Sequence, residues 1–246
     1  MTKAILITGA SRGIGRATAL KAAAMGWNVA VNYLNDANAA EAVVAKVLES
    51  GTRAIAVKAD VASESDVEHM FAQTVDYLGP LDGVVINAGI VAPPSTLADM
   101  TFERLRRMVD VNVMGTLLTA RGAALALSQS GKPGSIVIVS SAASRLGSAG
   151  EYVDYAACKG AADTLTIGLS RELGPKGIRV NAVRPAFIET EIHASGGRPD
   201  RAMVLGATTP MGRSGKPEEV ADAIAWLISD ASSYVTGTFV DMSGGR

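Results

Sequence analysis

The chain has 246 residues, of which 48% are hydrophobic and 19% charged, enough apolar sequence for one large domain or two small ones. Its 23 basic and 24 acidic residues leave a net charge of −1, which favours neither nucleic acid nor an anionic membrane surface as a partner. The single cysteine, Cys158, excludes an intrachain disulfide and fits a reducing compartment. No signal peptide is expected, nor an uninterrupted apolar run of the ~18 residues that a membrane span needs. We therefore predict a soluble, cytoplasmic protein.

Short apolar runs alternate with segments of helical periodicity along the whole chain. The predicted strands are residues 4–8, 29–32, 54–58, 83–86, 136–140, 179–183 and 238–241. The predicted helices are residues 14–25, 37–49, 63–77, 102–127, 152–173 and 217–229. Alternation of this kind predicts an α/β fold, a Rossmann-type, doubly wound, mostly parallel seven-stranded sheet with helices on both faces. Since no linker or repeat interrupts it, we expect one domain, residues 1–246.

A glycine-rich loop lies between the first strand and the first helix. Gly9, Gly13 and Gly15 permit a tight turn, and the following helix N-terminus offers free N–H groups to a pyrophosphate. The spacing is G-x-x-x-G-x-G rather than the common G-x-G-x-x-G dinucleotide fingerprint. Turn formation alone would also explain such a loop, but its place in a βαβ unit favours nucleotide binding.

Tyr155 and Lys159 are four residues apart and share one face of a predicted helix. A tyrosine titrates near ~10, and a cationic lysine beside it is expected to lower that pKa and make it a usable acid or base. The Tyr-x-x-x-Lys pattern also arises by chance on solvated helices. The pair therefore indicates a catalytic site only in combination with the other motifs of the chain.

Several motifs occur together in one order along the sequence. They are the glycine loop, Asn87-Ala88-Gly89, Asn112, Ser140-Ser141, Tyr155 with Lys159, and Arg184-Pro185. Together they resemble a classical short-chain dehydrogenase/reductase, most closely the 3-oxoacyl-carrier-protein reductase-like and sugar-dehydrogenase-like (glucose-dehydrogenase-like) branch. Ile86, Ala186 and Cys158 depart from the common family pattern without removing a catalytic group.

The resemblance implies a role for each of four residues. Tyr155 would be the general acid in reduction and the base in oxidation, and Lys159 would lower its pKa and hold the nicotinamide ribose. Ser141 would hydrogen-bond the substrate oxygen, and Asn112 would hold a water that links Lys159 to solvent. Ser141 precedes Tyr155 by fourteen residues, one more than the usual family spacing, so Ser140 is the alternative. An amide satisfied by its neighbours in a helix is the alternative for Asn112.

The end of the second strand bears on the choice of cofactor. NAD enzymes usually place an acid there to bind the ribose hydroxyls, whereas this chain has Asn32 and Tyr33. Arg12 in the loop is placed to pair with a 2′-phosphate, so the resemblance favours NADP(H), with NAD(H) left open by the nearby Asp36. The expected cofactor-binding residues are Gly9, Ser11, Arg12, Gly13, Ile14, Gly15, Asn32, Tyr33, Asp60, Val61, Asn87, Ala88, Gly89, Tyr155, Lys159, Pro185, Ile188 and Thr190.

Residues 187–210 interrupt the alternation and have the composition of a mobile flap over a substrate. The polar residues expected around the pocket are Arg145, Glu151, Tyr152 and His193. The two histidines, His69 and His193, offer no metal-ligand spacing, so no metal is expected.

These features predict an NADP(H)-dependent oxidoreductase that acts on a carbonyl or secondary alcohol with a small-molecule substrate. An NAD-dependent sugar or polyol dehydrogenase is one alternative, and a non-catalytic nicotinamide-sensing protein is another from a different class. By analogy with the family, a homotetramer is expected through the helices at 102–127 and 152–173.

Overall fold

The computed structural model describes residues 2–246, within which seven strands form one parallel sheet. The strands are β1 (Ala4–Ile7), β2 (Asn28–Tyr33), β3 (Ala54–Lys58), β4 (Gly83–Ile86), β5 (Gly134–Val139), β6 (Ile178–Pro185) and β7 (Phe239–Met242). Their spatial order is β3-β2-β1-β4-β5-β6-β7, and every neighbouring pair is parallel. The predicted Rossmann-type fold is confirmed, and the predicted strand ends differ from the observed ones by a few residues at most.

The central strands are buried on both faces, as their continuous apolar sequences predict. Successive side chains point to opposite faces of the sheet, so one strand supplies both cores. Leu6 of β1 and Ile136 of β5 belong to one cluster of buried residues. Ile5 and Val137, their neighbours in sequence, belong to the cluster on the other face.

Helices cover both faces of the sheet. The helices are α1 (Gly13–Ala24), α2 (Ala37–Glu49), α3 (Glu64–Leu78), α4 (Phe102–Val109), α5 (Gly115–Ser130), α6 (Ala143–Leu146), α7 (Val153–Leu173), α8 (Ile192–Ser195), α9 (Arg201–Gly206) and α10 (Pro217–Ile228). Buried residues of α1, α2 and α10 join the cluster that contains Ile5. Buried residues of α3, α5 and α7 join the cluster that contains Leu6. Each of these six helices therefore packs its apolar face on the sheet.

The predicted helix 102–127 is longer and less regular than expected. A π-helical turn, Asp110–Met114, joins α4 to α5, so the helical segment runs from Phe102 to Ser130. By length and composition alone, this 29-residue segment is the one stretch in residues 2–246 that could cross a membrane. Its Arg121 forms ion pairs with Glu64 and Glu68 of α3. The segment also supplies core residues, as core helices of globular proteins do.

The topology creates a crevice at the carboxyl ends of the strands. The chain reverses its direction of travel across the sheet between β1 and β4, and such a switch point is where α/β sheets bind ligands. The β1–α1 loop, the segment after β4 and the segment after β5 all open onto it. Residues 187–210, which contain the short helices α8 and α9, lie on the same side.

Candidate active site

A cavity of about 740 Å³ occupies the crevice, a size that suits a cofactor or a small ligand. Every residue predicted to act on substrate or cofactor lines it, apart from Gly15 and Asn112. The structure therefore brings most of the predicted residues together around one cavity, while Gly15 and Asn112 lie outside its lining.

The glycine loop is shaped by close contact with the segment after β4. Gly9 and Gly13 have positive φ angles of +61° and +54°, which a glycine adopts without strain. A Cβ on Gly15 would lie 2.4 Å from the Gly9 carbonyl oxygen and 2.7 Å from Asn87 Nδ2. Asn87 Nδ2 donates hydrogen bonds to the carbonyl oxygens of Thr8 (2.8 Å) and Gly9 (3.0 Å). Gly15 thus allows α1 to pack onto the loop that Asn87 holds.

The N-terminus of α1 faces the cavity and has no side-chain acceptor. The N-cap residue Arg12 makes no capping hydrogen bond, and the first turn contains no acidic residue within the described chain. The first N–H groups of a helix lack partners inside the helix and carry a partial positive charge. An anion such as a pyrophosphate therefore fits at this end of α1.

At the end of β2, Asn32 supports the loop. Its Oδ1 accepts a hydrogen bond from the Gly9 N–H at 3.0 Å, and its Nδ2 donates to the carbonyl oxygens of Val57 and Ala59. This buried side chain touches the cavity, yet its polar atoms are committed to the backbone. Asp36 Oδ1 accepts from the Ala39 N–H at 2.9 Å and so caps α2.

Tyr155 and Lys159 lie one turn apart on α7, where Lys159 is buried and Tyr155 is half-buried. Lys159 Nζ lies 5.6 Å from the centre of the Tyr155 ring and donates a 2.7 Å hydrogen bond to the Val139 carbonyl oxygen. Burial raises the pKa of Tyr155 to about 12, although a hydrogen bond with Ser141 lowers it. Burial also lowers the pKa of Lys159 to about 8. Loss of solvation therefore dominates the pKa of Tyr155 in this structure, and the lowering of that pKa by Lys159 stays a prediction.

The two adjacent serines have different partners. Ser140 Oγ donates to Asp163 Oδ1 at 2.6 Å and lies within 3.2 Å of the Lys159 carbonyl oxygen. Ser141 Oγ accepts from the Ala143 N–H at 3.1 Å and hydrogen-bonds with Tyr155. The serine beside the tyrosine is thus Ser141, whereas Ser140 fixes α7 to the end of β5.

Asn112 sits in the π turn and bonds across to the segment after β4. Its Oδ1 accepts from the Ile90 N–H at 3.0 Å, and its Nδ2 donates to the Ile90 carbonyl oxygen at 3.0 Å and to Met108 Sδ at 2.7 Å. A Cβ built on Gly89 would lie 2.8 Å from Asn112 Oδ1 and 3.6 Å from Lys159 Nζ. Asn112 therefore packs close to Lys159 without lining the cavity. Local π turns of this kind often occur at functional sites.

Two ion pairs that the sequence did not suggest hold α7 in place. Arg184 on β6 pairs with Asp163 at 2.9 Å, one turn beyond Lys159. Arg104 on α4 donates from Nε to Asp154 Oδ2 at 2.8 Å, next to Tyr155. Both pairs join residues far apart in sequence, so no local pattern could have revealed them.

The flap side of the cavity contains most of the polar residues expected there. Glu151, Tyr152 and His193 line it, but Arg145 pairs with Asp241 on β7 instead. His193 Nε2 hydrogen-bonds the Ile188 carbonyl oxygen at 2.9 Å, and burial lowers the pKa of its imidazole. Arg201 and Arg246 also line this end, and no motif pointed to either.

These residues fit a nicotinamide dinucleotide. The α1 N-terminus suits the pyrophosphate, the positive-φ glycines let the backbone approach it, and Tyr155, Ser141 and Lys159 stand at the other end of the same cavity. Within residues 2–246 no group of three or more His, Cys, Asp or Glu side chains could hold a metal ion. The fold and the site together define the class of nicotinamide-dependent oxidoreductases.

Comparison with known proteins identifies the family. Residues 9–246 match the family model described as enoyl-(acyl carrier protein) reductase. An uncharacterised oxidoreductase of Escherichia coli K12 is 51% identical over 243 residues, which is 98% of each chain. An L-rhamnose 1-dehydrogenase (NAD(P)⁺) of Sphingomonas is 39% identical and covers 99% of this chain and 95% of its own. The chain belongs to the short-chain dehydrogenase/reductase family.

Solved structures agree with this assignment. A short-chain type dehydrogenase/reductase from Mycobacterium marinum superposes with a TM-score of 0.92 at 36% identity, covering 98% of this chain and 94% of the other. A 3-ketoacyl-(acyl-carrier-protein) reductase from Brucella melitensis, complexed with NADH, gives a TM-score of 0.91 at 32% identity. That comparison covers 99% of this chain and 98% of the other. Members of this family bind a nicotinamide cofactor and act on alcohols or carbonyls, so the chain is an oxidoreductase of this type.

Proposed function

We propose that this protein is an NADP(H)-dependent oxidoreductase of carbonyl compounds and secondary alcohols, with Tyr155 as acid and base. The observation that carries the proposal is the meeting of Tyr155, Ser141 and Lys159 in the cavity that the glycine loop also lines. A tyrosine hydroxyl, a second hydroxyl and a buried amine form a proton-transfer site in the same cavity as the open N-terminus of α1. We take the whole chain, residues 1–246, as one domain with its flap at about 187–210.

The chain's own residues have distinct tasks in this proposal. The bound nicotinamide supplies or accepts the hydride. Ser141 hydrogen-bonds the substrate oxygen, and Tyr155 gives that oxygen a proton in reduction or removes one in oxidation. Burial raises the pKa of Tyr155 to about 12, so the hydroxyl carries at neutral pH the proton that reduction requires. Lys159 holds the ribose. The role of Asn112 in binding a relay water stays a prediction.

Three observations support NADP(H) over NAD(H). Arg12 lines the cavity beside Tyr33 at the end of β2, the position where NAD enzymes usually have an acid. Asp36, the nearest carboxylate, uses Oδ1 to cap α2. A guanidinium with no carboxylate partner at this corner suits a 2′-phosphate. Contacts to the adenine by Asp60 and Val61, and to the nicotinamide by Ile188 and Thr190, are part of the same proposal.

The first experiment follows nicotinamide absorbance with purified protein. NADPH and NADH would be paired with 3-oxoacyl thioesters, small ketones and diketones, and NADP⁺ and NAD⁺ with sugars and secondary alcohols. We expect turnover of one carbonyl or alcohol class with preference for the phosphorylated cofactor. Tyr155→Phe should reduce turnover at least about 100-fold, the usual contribution of a positioned acid, while NADPH still binds. Turnover that survives this substitution would exclude Tyr155 as the proton donor.

Two alternatives keep a place in this experiment. An NAD-dependent sugar or polyol dehydrogenase is favoured by the identity to the L-rhamnose dehydrogenase, and preference for NAD⁺ with a sugar would establish it. A non-catalytic nicotinamide sensor would bind cofactor without any turnover. The presence of Tyr155, Lys159 and Ser141 in one cavity speaks against the sensor.

We also propose a soluble cytoplasmic homotetramer, since the long helix Phe102–Ser130 serves the core and leaves an apolar stripe for subunit contacts.

A further inference from the structure

Arg201 on α9 is a buried arginine with an incomplete set of partners. Its relative exposure is 9%, and its Nη2 pairs with Glu151 Oε2 at 2.6 Å. Its Nη1 is, within residues 2–246, the one buried side-chain nitrogen or oxygen that lacks a hydrogen-bond partner. A buried donor without a partner is costly, and native proteins seldom leave one without a purpose. An acceptor that enters from outside the chain would satisfy it.

The position of Arg201 relates it to the proposed reaction. Its guanidinium carbon lies 4.8 Å from the centre of the Tyr152 ring, and Tyr152 precedes Tyr155 by three residues, about one helical turn. Phe187 lies on its other side, 5.9 Å away. All of these residues line the cavity. Arg201 therefore lies in the flap wall of the cavity that Tyr155 also lines, with the rings of Tyr152 and Phe187 near its guanidinium.

The charges around Arg201 favour an anionic acceptor. Glu151 is shared, because Arg198 Nη1 binds its other oxygen at 2.9 Å. The hydrogen bond from Arg201 lowers the pKa of Glu151, so the cluster holds two cations and one anion. Of the other flap carboxylates, Glu189 bonds Ser214 and Glu191 lies near Gly13 of the cofactor loop. Asp200, which precedes Arg201 in sequence, is exposed and forms no ion pair within residues 2–246. One positive charge is left over where the unpaired donor lies.

We propose that Arg201 binds a carboxylate of the substrate, so that the enzyme acts on oxo acids or the corresponding hydroxy acids. The acid group would lie at the flap end while the reacting carbon faces Tyr155. Because Nη1 has almost no accessible surface, the guanidinium must turn toward the cavity when the acid enters. This inference rests on the proposed function and adds a substrate class to it.

The test uses matched pairs of acids and esters with NADPH. The acids are 4-oxopentanoate, 5-oxohexanoate and 6-oxoheptanoate, each compared with its methyl ester, and simple methyl ketones serve as a third group. We expect kcat/KM for at least one acid to exceed that for its ester in the wild-type protein. Arg201→Met should lower kcat/KM for that acid about 10- to 100-fold, mainly through KM, and leave the ester little changed, as expected for a lost charged hydrogen bond.

Arg198→Met is the matched control, because Arg198 pairs with the same glutamate and is not among the residues that line the cavity. It should keep the acid-to-ester ratio of the wild type. Arg201→Lys retains a cation, so its kcat/KM for the acid should fall less than that of Arg201→Met.

Two outcomes would overturn the carboxylate proposal. One is a wild-type protein that turns over esters or ketones with no preference for any acid, a result that needs no variant to fold and leaves the oxidoreductase function standing. The other is that Arg201→Met lowers kcat/KM for the acid and for its ester by the same factor. Absence of turnover with every acid, ester and ketone would count against the carboxylate proposal and against carbonyl reduction together.

Discussion

A buried lysine and a half-buried tyrosine respond to the loss of water in the same sense, since both favour their neutral forms. In this site burial moves the pKa of Lys159 from 10.5 to about 8 and that of Tyr155 from 10.0 to about 12. Between pH 8 and 10.5 the unfolded chain therefore holds a proton on Lys159 that the folded chain has released. Stability from this group rises with pH across that window and is flat below it.

The Lys159 shift predicts a difference between wild type and Lys159→Met. The free energy of unfolding of the wild type, relative to the variant, should increase by about 1.4 kcal/mol per pH unit above pH 8 and by about 3 kcal/mol in total. Urea titrations at pH 7.5, 9 and 10 would measure it. Tyr155 and all surface groups are common to both proteins, so their titration largely cancels in the comparison. Parallel pH curves would mean that Lys159 keeps its ordinary pKa in the folded protein.

Arg12 is the residue on which the proposed preference for NADP(H) rests. Arg12→Ala should raise the KM for NADPH about 10- to 100-fold and leave that for NADH nearly unchanged, because only the phosphorylated cofactor offers a group for the guanidinium. Arg16→Ala is the matched control: it removes the same charge one turn further along α1, from an exposed residue outside the cavity wall. Steady-state kinetics with both cofactors would distinguish a role of Arg12 in phosphate binding from a role in the structure of the loop. An equal loss with NADPH and NADH would show that Arg12 serves the loop rather than the phosphate.

At the scale of elements, the approach of α1 to the sheet predicts that Gly15→Ala is damaging. The new Cβ would meet the Gly9 carbonyl oxygen at 2.4 Å, so the loop must move. We expect a loss of about 1–3 kcal/mol of stability, the usual cost of overpacking, and weaker cofactor binding by calorimetry. The matched control is Gly168→Ala in α7, where a Cβ meets no atom of the chain within 4 Å. Gly168→Ala should gain about 0.5–1 kcal/mol of stability. Similar losses in both variants would contradict the close-packing explanation.

The same elements show what a sequence can predict. The strands were predictable because parallel strands buried on both faces are apolar without interruption, as in Ala4–Ile7 and Gly83–Ile86. The helix start at Ser63 was predictable from its side chain, which accepts from the Asp66 N–H. The partner of the Asp66 carboxylate was not predictable, because it accepts from the Asp60 N–H in the loop before the helix.

The π turn and the electrostatics of the site were beyond the sequence for physical reasons. One residue inserted into a helix hardly alters its apolar period, so Asp110–Met114 looked like ordinary helix. The partners of Asn112 and Asp163 lie about twenty residues away, at Ile90 and Arg184. The direction of the Tyr155 pKa depends on burial depth, which the motif does not carry. Sequence motifs therefore identified the site residues, whereas the residues that hold them in place became visible only in the fold.

At the scale of the whole molecule, an apolar stripe on the long helical segment remains without a partner in the chain. Met114, Leu117 and Leu125 follow one another at helical spacing on the outer face, with Leu117 41% and Leu125 56% exposed. Phe102 and Val109 extend exposed apolar surface along α4, and Ile167 adds to it on α7. Contiguous exposed patches of this kind mark interfaces more often than chance exposure. The proposed tetramer would bury them.

Leu125→Glu tests the proposed tetramer. A carboxylate placed in a subunit interface loses its hydration without gaining a partner, so the variant should sediment as dimers or monomers while the wild type sediments as a tetramer. Leu48→Glu on α2 is the matched control, since Leu48 is 49% exposed but lies on a different helix, away from the stripe, and should leave the mass unchanged. Analytical ultracentrifugation at several concentrations would measure both. A wild-type monomer would exclude the proposed tetramer, and a tetramer that survives Leu125→Glu would place the interface elsewhere. Because the stripe continues α4 and the π turn that holds Asn112, dissociation should also weaken turnover more than Leu48→Glu does.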